Sequence, residues 1–380
     1  MHSFEFCNPT RVIFGRGTVQ QAGPAIVREG AHKVLLIAGA GSIRENGVYQ
    51  AVMQSLSILG IDVVEAWGVR PNPELALAEQ LVQIAREQQV DGVLAVGGGS
   101  VIDTAKCVAA GVYVDNLWSC FEKRCPIDRA LPVFVVLTIS ASGSEMDSWA
   151  VLTEGEQHKK WSISSPFLYP RFAIVDPSVQ TSLPWRQTVN GAIGVLSHVM
   201  ATYLVGSFEE TTLALDEGLM RTVIKMVDQL QADHADYGAR ANLAWAATLA
   251  MNGLSSAGIE DSDWSARSIE SAMSALHPEV AHGAGMAVIL PAWMTYQREN
   301  NPGQFQRWAR AVWGADSVEE GITAMKTAFQ RWGAPSTLGD LGIAAGELRD
   351  IAFSALSEGP LGKLRTLTAR DVVELLKPAL

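Results

Sequence analysis

The sequence predicts two domains, an α/β domain with a Rossmann-like parallel sheet over residues 1–184 and an all-helical domain over residues 185–380. The chain has 380 residues, more than one hydrophobic core usually serves. In its first half, apolar β-branched runs alternate with helical periodicity, and strand signals nearly vanish after Leu183 and Pro184. We expect a ligand site between the two domains, where pockets commonly form.

The predicted elements of the first half follow in order. The opening FEFCNPTRVIFGRG predicts two short strands around an Asn-Pro turn. Continuous apolar runs predict further strands, at 33–39, 60–69, 91–99 and 131–140. Helical periodicity predicts helices at 75–90 and 101–114. Apolar strands joined by helices are typical of a parallel sheet that is covered on both faces.

Composition and charge exclude several classes of function. A formal net charge of −11 argues against nucleic acid or an anionic membrane as a partner. No apolar run is long enough to span a bilayer, and the start lacks the pattern of a signal peptide, so we expect a cytoplasmic protein. Four cysteines lack the spacing of a zinc site and are expected to be reduced thiols: Cys7, Cys107, Cys120 and Cys125.

The stretch GVLAVGGGSVIDTAK at 92–106 carries the most specific local pattern. A buried strand ends in a loop at which a helix begins at once, formed by Gly97, Gly98, Gly99 and Ser100. Three glycines let the backbone approach a pyrophosphate, and a helix N-terminus offers N–H donors to it. The alternative is a tight turn that needs glycine only for packing. Asp103 is either a favourable charge in the first helical turn or a ligand of the cofactor.

Two more loops follow predicted strands. IAGAGSIR at 37–44 begins like the G-x-G-x-x-G fingerprint, with Gly39 and Gly41, but its sixth position is Arg44. The loop LTISASGSEMDS at 137–148 carries small hydroxyl side chains suited to phosphate or carboxamide, those of Thr138, Ser142 and Ser144. A polar serine-rich turn explains that loop equally well.

Together, these loops resemble the iron-containing (group III) alcohol dehydrogenase family. The matching stretches keep the family's order over essentially the whole chain: GGGSVID at 97–103, TISASGSE at 138–145, DPSVQTSLPWRQTVNG at 176–191 and AHGAGMAVILPA at 281–292. The most similar branch is that of NADPH-dependent aldehyde reductases and butanol dehydrogenases. The resemblance implies the dehydroquinate synthase-like fold, a homodimer, and hydride transfer between a nicotinamide cofactor and an aldehyde or ketone.

The resemblance also implies the cofactor site. It assigns the pyrophosphate to the loop 97–100 and the nicotinamide and ribose to Asp103, Thr138, Ser142 and Lys160, with Leu183 packing nearby. Ser144, of the same loop as Ser142, is expected at the cofactor because of its hydroxyl group. Family members that prefer NAD often place an acid at the end of the first strand, where this chain has Gly39. We therefore expect NADP(H) to be preferred over NAD(H), with Ser42 and Arg44 as partners of the 2′-phosphate.

The family holds a divalent metal with one Asp and three His, and this chain keeps two of the four, His198 and His282. Gly194 and Arg267 occupy the other two positions. Two imidazoles without a carboxylate make a poor site for Fe²⁺ or Zn²⁺, and a guanidinium has a fixed positive charge and no lone pair to donate. The alternative is a metal held by substitute ligands drawn from Asp261, Asp263, Glu270 and His277. By composition alone, His198 in its apolar run is a core histidine.

Three functional hypotheses follow. In the first, an oxidoreductase works without metal: Arg267 faces the oxyanion or grips a substrate carboxylate, and His198, His277 or His282 exchanges the proton. For His277 the family match implies a position near the nicotinamide, while its residue type alone indicates a surface histidine before a proline. The second is a catalytically silent dinucleotide-binding homologue, a subunit or binding partner whose pocket is crowded by Trp149 and Trp264. The third is an ordinary metal-dependent enzyme with substitute ligands.

Overall fold

The computed structural model describes all 380 residues, which form two compact units. The unit that we call the sheet unit comprises Asn8–Leu183 and Ala235–Ala244. The unit that we call the helical unit comprises Met1–Cys7, Pro184–His234 and Trp245–Leu380. None of the helices combines the length and apolar character needed to cross a membrane.

Residues 8–183 of the sheet unit contain eight strands and six helices. The strands are β1 Arg11–Phe14, β2 Lys33–Ala38, β3 Asp62–Ala66, β4 Gly92–Gly97, β5 Val133–Leu137, β6 Trp149–Glu154, β7 Lys159–Ser164 and β8 Phe172–Val175. The helices are α1 Ala22–Arg28, α2 Ser42–Glu45, α3 Val48–Ser57, α4 Leu75–Glu87, α5 Gly99–Gly111 and α6 Trp118–Phe121. Six strands form a parallel sheet in the order β1-β8-β5-β4-β2-β3, and β6 and β7 form a separate antiparallel hairpin.

The rest of the chain is helical, as the sequence predicts. The helices are α7 Trp185–Tyr203, α8 Glu210–Ala232, α9 Tyr237–Ala250, α10 Ser265–Leu276, α11 His282–Gln297, α12 Pro302–Trp313, α13 Val318–Arg331, α14 Leu348–Ala355 and α15 Ala369–Leu376. Residues 185–380 contain no strand, only an isolated bridge between Leu361 and Leu367. The predicted fold class is therefore confirmed.

The central strands are apolar throughout because helices cover both faces of the sheet. In β4, Val93 and Ala95 pack into one buried cluster, together with residues of α4 and α5. Leu94 and Val96 point to the opposite face and pack with residues of α1 and α3. This alternation accounts for the continuous hydrophobic runs from which the sequence predicts a doubly covered parallel sheet.

The glycine-rich loops lie where the direction of the strand order changes. From β2 the chain continues to its neighbour β3 on one side, and from β4 it continues to β5 on the other. A ligand crevice commonly opens at such a point, outside the carboxyl ends of the parallel strands. The loops that begin at Gly39 and Gly98 follow β2 and β4 directly, so both lie at this edge of the sheet.

The amino-terminal prediction of two strands is wrong in part, because only β1 forms. Residues 1–10 have no regular secondary structure. An extended segment becomes a strand only by pairing with another, and here it finds isolated hydrogen bonds instead. The N–H of His2 donates to the Gly258 carbonyl (2.9 Å), and the Thr10 hydroxyl donates to the Pro170 carbonyl (2.7 Å). The hairpin β6–β7 and strand β8 are elements that the sequence pattern did not reveal.

Candidate functional site

The loop after β4 uses its glycines for close packing as well as for an open helix start. A Cβ at Gly98 would lie 2.1 Å from Ile139 Cγ2, and one at Gly99 would lie 2.5 Å from Ser142 Oγ. Neither glycine has a positive φ, so proximity and not backbone conformation requires them. No side chain caps the amino terminus of α5. Its first N–H groups therefore remain suited to an anion, and the packing interpretation and the phosphate interpretation are compatible.

Asp103 is held in place by two hydrogen bonds. The Ser144 hydroxyl donates to its Oδ1 (2.7 Å), and the Val151 N–H donates to its Oδ2 (3.2 Å). Burial raises the pKa of the Asp103 carboxyl to about 6, against the opposing influence of the Lys106 charge. Ser144, predicted at the cofactor because of its hydroxyl group, donates that hydroxyl to Asp103 in this structure.

Two lysines of the sheet unit have different surroundings. Lys106 is fully buried, and its ammonium donates to Asp147 Oδ1 (2.7 Å) and to the carbonyls of Asp147 (2.9 Å) and Trp149 (2.8 Å). It ties α5 to the start of the hairpin, a structural role that sequence reasoning missed. Lys160, predicted to contact the nicotinamide or ribose, donates to Asn72 Oδ1 (2.8 Å).

The other predicted cofactor residues of this region lie in ordered turns. The Thr138 N–H donates to the Gly97 carbonyl (3.0 Å), which joins the loop after β5 to the one after β4. Ser142 Oγ accepts the Ser144 N–H (3.2 Å). The Leu183 N–H donates to the Gln180 carbonyl at the end of a turn (3.2 Å). Their roles toward a cofactor stay predictions.

Arg44, the predicted phosphate partner, is already surrounded by other groups. Its guanidinium lies 3.9 Å from the centroid of the Trp67 ring and 5.3 Å from that of Tyr49. It also lies 3.6 Å from Glu65 Oε2. The Tyr49 hydroxyl and the Trp67 indole N–H both donate to the Glu65 carboxylate. Arg44 keeps about half of its surface exposed, so its charge is partly paired but accessible.

In the helical unit, three helices bring the metal-position residues together. Helix α7 carries Gly194 and His198, α10 carries Arg267 and Glu270, and α11 begins at His282. The glycines of the HGAG motif permit this approach. A Cβ at Gly283 would lie 2.0 Å from the Asn190 carbonyl oxygen on α7, and one at Gly285 would lie 2.8 Å from Glu270 Cγ.

The two histidines form a stacked pair inside the unit. The rings of His198 and His282 lie 6.1 Å apart at an interplanar angle of 22°. His282 hydrogen-bonds through Nδ1 to the buried carboxylate of Glu270. His198 Nδ1 and His282 Nε2 are buried without a hydrogen-bond partner. Buried ring nitrogens normally have partners, so these two point to a ligand or a solvent molecule between or beside the rings.

Arg267 lies near His198 and influences its charge state. Its guanidinium lies 5.7 Å from the centroid of the Trp264 ring, and that ring lies 6.2 Å from the ring of His198. Burial, and then the charges of His282 and Arg267, hold the pKa of His198 well below its usual value. His198 is therefore a neutral imidazole at physiological pH, beside a permanently positive guanidinium.

Two of the predicted substitute ligands are occupied elsewhere. Both oxygens of buried Asp263 accept hydrogen bonds, Oδ1 from the N–H and the hydroxyl of Ser265 and Oδ2 from the N–H groups of Lys363 (2.8 Å) and Leu364 (2.9 Å). Asp261 pairs with the Lys363 ammonium (2.7 Å), which helps to lower its pKa. These carboxylates fasten a carboxy-terminal loop.

His277 is held by acidic side chains. Its Nε2 lies 2.8 Å from Glu347 Oε1, and its Nδ1 lies 3.3 Å from Glu279 Oε1. The imidazole is 17% exposed, so it is no ordinary surface histidine. A role as proton relay near the nicotinamide would require one of these pairs to break, and it stays a prediction.

Both halves of the chain match known protein families. Residues 9–177 match the family model of the iron-containing alcohol dehydrogenases, and residues 188–380 match that of the C-terminal region of the same family. The chain belongs to the iron-containing alcohol dehydrogenase family. The predicted resemblance is confirmed, and the chain is an oxidoreductase that interconverts alcohols and carbonyl compounds with a nicotinamide cofactor.

Three relatives illustrate how close the similarity is within this family. The crystal structure of NADH-dependent butanol dehydrogenase A from Thermotoga maritima is 43% identical, with a TM-score of 0.98 over 100% of this chain and 99% of that one. NADH-dependent butanol dehydrogenase A of Clostridium acetobutylicum is 36% identical over 99% of both chains. An NADPH-dependent aldehyde reductase of Escherichia coli is 32% identical over 90% of both.

Despite this membership, the residues present do not fit the family's divalent metal. Gly194 has no donor side chain, Arg267 adds a repelling charge, and Glu270 is committed to His282. Nowhere in the structure do three or more His, Cys, Asp or Glu side chains form a group that could hold a metal ion. Two imidazoles alone fall short of the three or four protein ligands that such ions require.

From the sequence, Glu270 is predicted only as a substitute metal ligand. The structure shows it as the partner of His282, twelve residues away along the chain. A signal was present, because Glu270 lies three residues after Arg267 and therefore on the same face of α10. What the sequence does not supply is the direction from which α11 approaches that face.

Proposed function

We propose that this enzyme carries out the family reaction without a metal, reducing an aldehyde or 2-keto acid, with Arg267 in place of the metal's charge. The observation that carries the proposal is the arrangement around His198 and His282. The Arg267 guanidinium acts electrostatically on the buried imidazole of His198, beside the partly exposed His282, and no group of three metal-binding side chains is present to hold a cation. Such a cluster suits a ligand that is negative or becomes negative during the reaction.

Each residue then has a distinct task. A bound nicotinamide cofactor supplies the hydride for the carbonyl carbon. Arg267 presents N–H donors and positive charge to the carbonyl oxygen as negative charge develops on it, or to a carboxylate on the substrate. His282 donates the proton to that oxygen from Nε2, and Glu270 at Nδ1 orients the ring and stabilises its charged form. His198 stays neutral beside them.

The test combines turnover with metal analysis. Oxidation of NADPH and NADH is followed with a panel of aldehydes and 2-keto acids, before and after chelation, on protein purified with added Fe²⁺ or Zn²⁺. We expect turnover that the chelator leaves unchanged and far less than one metal per chain. About one metal per chain, with activity lost on chelation, would contradict the proposal, and so would tight NADPH binding without turnover of any substrate.

The matched variants are Arg267→Ala and Arg349→Ala. Removing a donor and a charge from an oxyanion site typically lowers kcat by about 10²- to 10³-fold, so we expect a loss of this size for Arg267→Ala. Arg267→Lys, which keeps the charge, should recover part of it. Arg349 is exposed on α14, and its replacement should leave turnover unchanged. Unchanged turnover in Arg267→Ala would overturn its assigned role.

We further propose that NADP(H) is preferred over NAD(H). The support is the absence of an acid at Gly39 and the accessible charge of Arg44, near Ser42 at the start of α2. Glu65, which pairs with Arg44, would oppose a 2′-phosphate unless the two separate. The names of the relatives above include both NADH- and NADPH-dependent enzymes.

A homodimer is the assembly that we propose. Strand β1 lies at the edge of its sheet, and an unpaired edge invites pairing with another chain. Phe4 and Phe6 of the amino-terminal segment are 54% and 44% exposed. Light scattering on the purified protein should give twice the mass of the chain, and a monomer would contradict this. The cytoplasmic location stays a prediction.

A further inference from the structure

We propose that Cys120 and Cys125 form a reversible intramolecular disulfide when the enzyme meets a peroxide or a small-molecule disulfide. The proposed function assigns neither cysteine a role in catalysis or cofactor binding. It adds to the expectation of reduced thiols, which describes the resting state of all four cysteines.

The chain turn between the two cysteines brings both residues into one short backbone motif. The Cys125 thiol donates to the Pro126 carbonyl (3.7 Å) and lies near enough to Cys120 to help raise the pKa of the Cys120 thiol. The N–H groups of Arg124 (2.9 Å) and Cys125 (3.2 Å) both donate to the Ser119 carbonyl, and the Lys123 N–H donates to the Cys120 carbonyl (3.1 Å). To form a bond of about 2.05 Å, the Cys125 side chain has to leave the Pro126 carbonyl and turn toward Cys120, a change confined to this turn.

An aromatic frame restrains the helical end of this turn. Trp118, two residues before Cys120, stacks on Phe121 at 4.9 Å and on Trp161 of β7 at 5.4 Å. These side chains and Cys120 belong to one buried cluster, against which Cys125 packs. Because the frame is ordered in the reduced protein, bridging adds little further loss of conformational freedom.

The two thiols differ in access, which sets the order of events. Cys125 is partly exposed, whereas Cys120 is 6% exposed. Burial, and then the neighbouring Cys125 thiol, raise the pKa of the Cys120 thiol to about 12, so Cys120 stays protonated and unreactive toward the oxidant itself. Cys125 therefore meets the oxidant first, and Cys120 reacts only with an oxidised Cys125 sulfur beside it.

The chemistry balances as two condensation steps. With hydrogen peroxide, the Cys125 sulfur attacks one peroxide oxygen, the O–O bond breaks, and Cys125 becomes a sulfenic acid with release of water. The Cys120 sulfur then attacks the Cys125 sulfur, the S–O bond breaks, and the thiol proton leaves with the hydroxyl as a second water. Two thiols are oxidised by two electrons and one peroxide is reduced. A dithiol reverses the bridge by exchange.

The sequence between the cysteines makes the test direct. The full-length enzyme is treated with hydrogen peroxide or oxidised glutathione, its remaining thiols are alkylated, and it is digested with trypsin without reduction. Cleavage after Lys123 and Arg124 separates Cys120 from Cys125, so only a disulfide keeps the two peptides joined. We expect this linked pair, the loss of two of the four thiols, and recovery of both after reduction.

Single cysteine variants show which two cysteines form the disulfide. Cys7→Ser removes an exposed cysteine outside the turn and should form the linked pair as the wild type does. In Cys120→Ser, Cys125 should accumulate as a glutathione adduct or a higher oxide, and in Cys125→Ser the Cys120 thiol should stay reduced. The proposal is overturned if wild-type Cys120 and Cys125 both remain alkylatable, if Cys125 is over-oxidised without bridging, or if buried Cys107 is the partner that is found.

Discussion

At residue 39, the carboxyl end of β2 carries a glycine although a side chain would fit. A Cβ there would lie 3.5 Å from the Val69 carbonyl oxygen, an ordinary contact, and the backbone is outside the left-handed region. Neither packing nor strain therefore demands glycine at this position. What Gly39 contributes is the absence of a charge near the predicted 2′-phosphate.

Gly39→Asp should consequently change the cofactor preference and not the fold. We expect kcat/KM for NADPH to fall by about tenfold or more, because like charges brought close together cost more than 1.4 kcal/mol when partly desolvated. The value for NADH should be unchanged or should rise. Gly39→Asn is the uncharged control, and an equal loss with both cofactors in Gly39→Asp would show that residue 39 does not face the ribose.

A second contact that matters at the residue scale is the hydrogen bond between His282 and Glu270. In Glu270→Gln the shape is kept, but the carboxylate no longer supports a charged imidazole. We expect kcat to fall by about 10- to 100-fold, the size usual for general acid–base assistance, with little change in the KM for the cofactor. A rise in that KM alone, with kcat intact, would mean that Glu270 merely supports the packing of α11.

At the scale of elements, the site depends on how closely α11 approaches α7. That distance is set at Gly283, where a Cβ would lie 2.0 Å from a backbone carbonyl oxygen that no rotamer change can move. The approach also positions His282, the first residue of α11, against Glu270 on α10. A displacement of α11 would therefore disturb stability and the histidine pair together.

Gly283→Ala should destabilise the protein by about 1–3 kcal/mol, the usual cost of overpacking, and should lower turnover as well. Thermal or urea unfolding measures the first effect. Gly218→Ala is the matched control, since Gly218 lies inside α8 with no atom near its Cβ position and should gain about 0.5–1 kcal/mol from the same change. Equal stability of both variants would contradict the close approach.

At the scale of the whole molecule, stability depends on pH through a buried acid. Asp216 on α8 is fully buried, and neither of its carboxylate oxygens has a hydrogen-bond partner. Burial, and then the charge of Glu217, raise its pKa from 3.8 to about 9. Between these two values the folded chain keeps a proton that the unfolded chain has released, so folding becomes less favourable as pH rises across this window.

Asp216→Asn removes that proton linkage. The variant should gain melting temperature relative to the wild type, and the gain should grow steadily from about pH 5 to about pH 8.5 because the penalty in the wild type increases over that range. Asp350→Asn, at an exposed position of α14, is the control and should show no such trend. A difference in melting temperature that is independent of pH would show that Asp216 does not cause the loss of stability at higher pH.

Much of this fold could be predicted from periodicity. The sequence predicts the start of α5 to within two residues, at 101, and the helix begins at Gly99. The β6–β7 hairpin was not expected, because its strands mix polar and apolar residues and acquire their order by pairing with each other. Residues 1–7 show the converse, a segment in which Phe4 and Phe6 alternate with polar residues as in a strand but which pairs with no strand of this chain.

The sequence by itself determined which donor side chains are missing at the positions that the resemblance assigns to the metal. Gly194 and Arg267 stand where the family's carboxylate and second imidazole are expected, and these identities are fixed by covalent structure whatever the fold. Only the tertiary structure decided which of the remaining groups are free to act. Glu270 meets His282, and Asp263 is used by backbone N–H groups a hundred residues away, because through-space contacts depend on how helices pack.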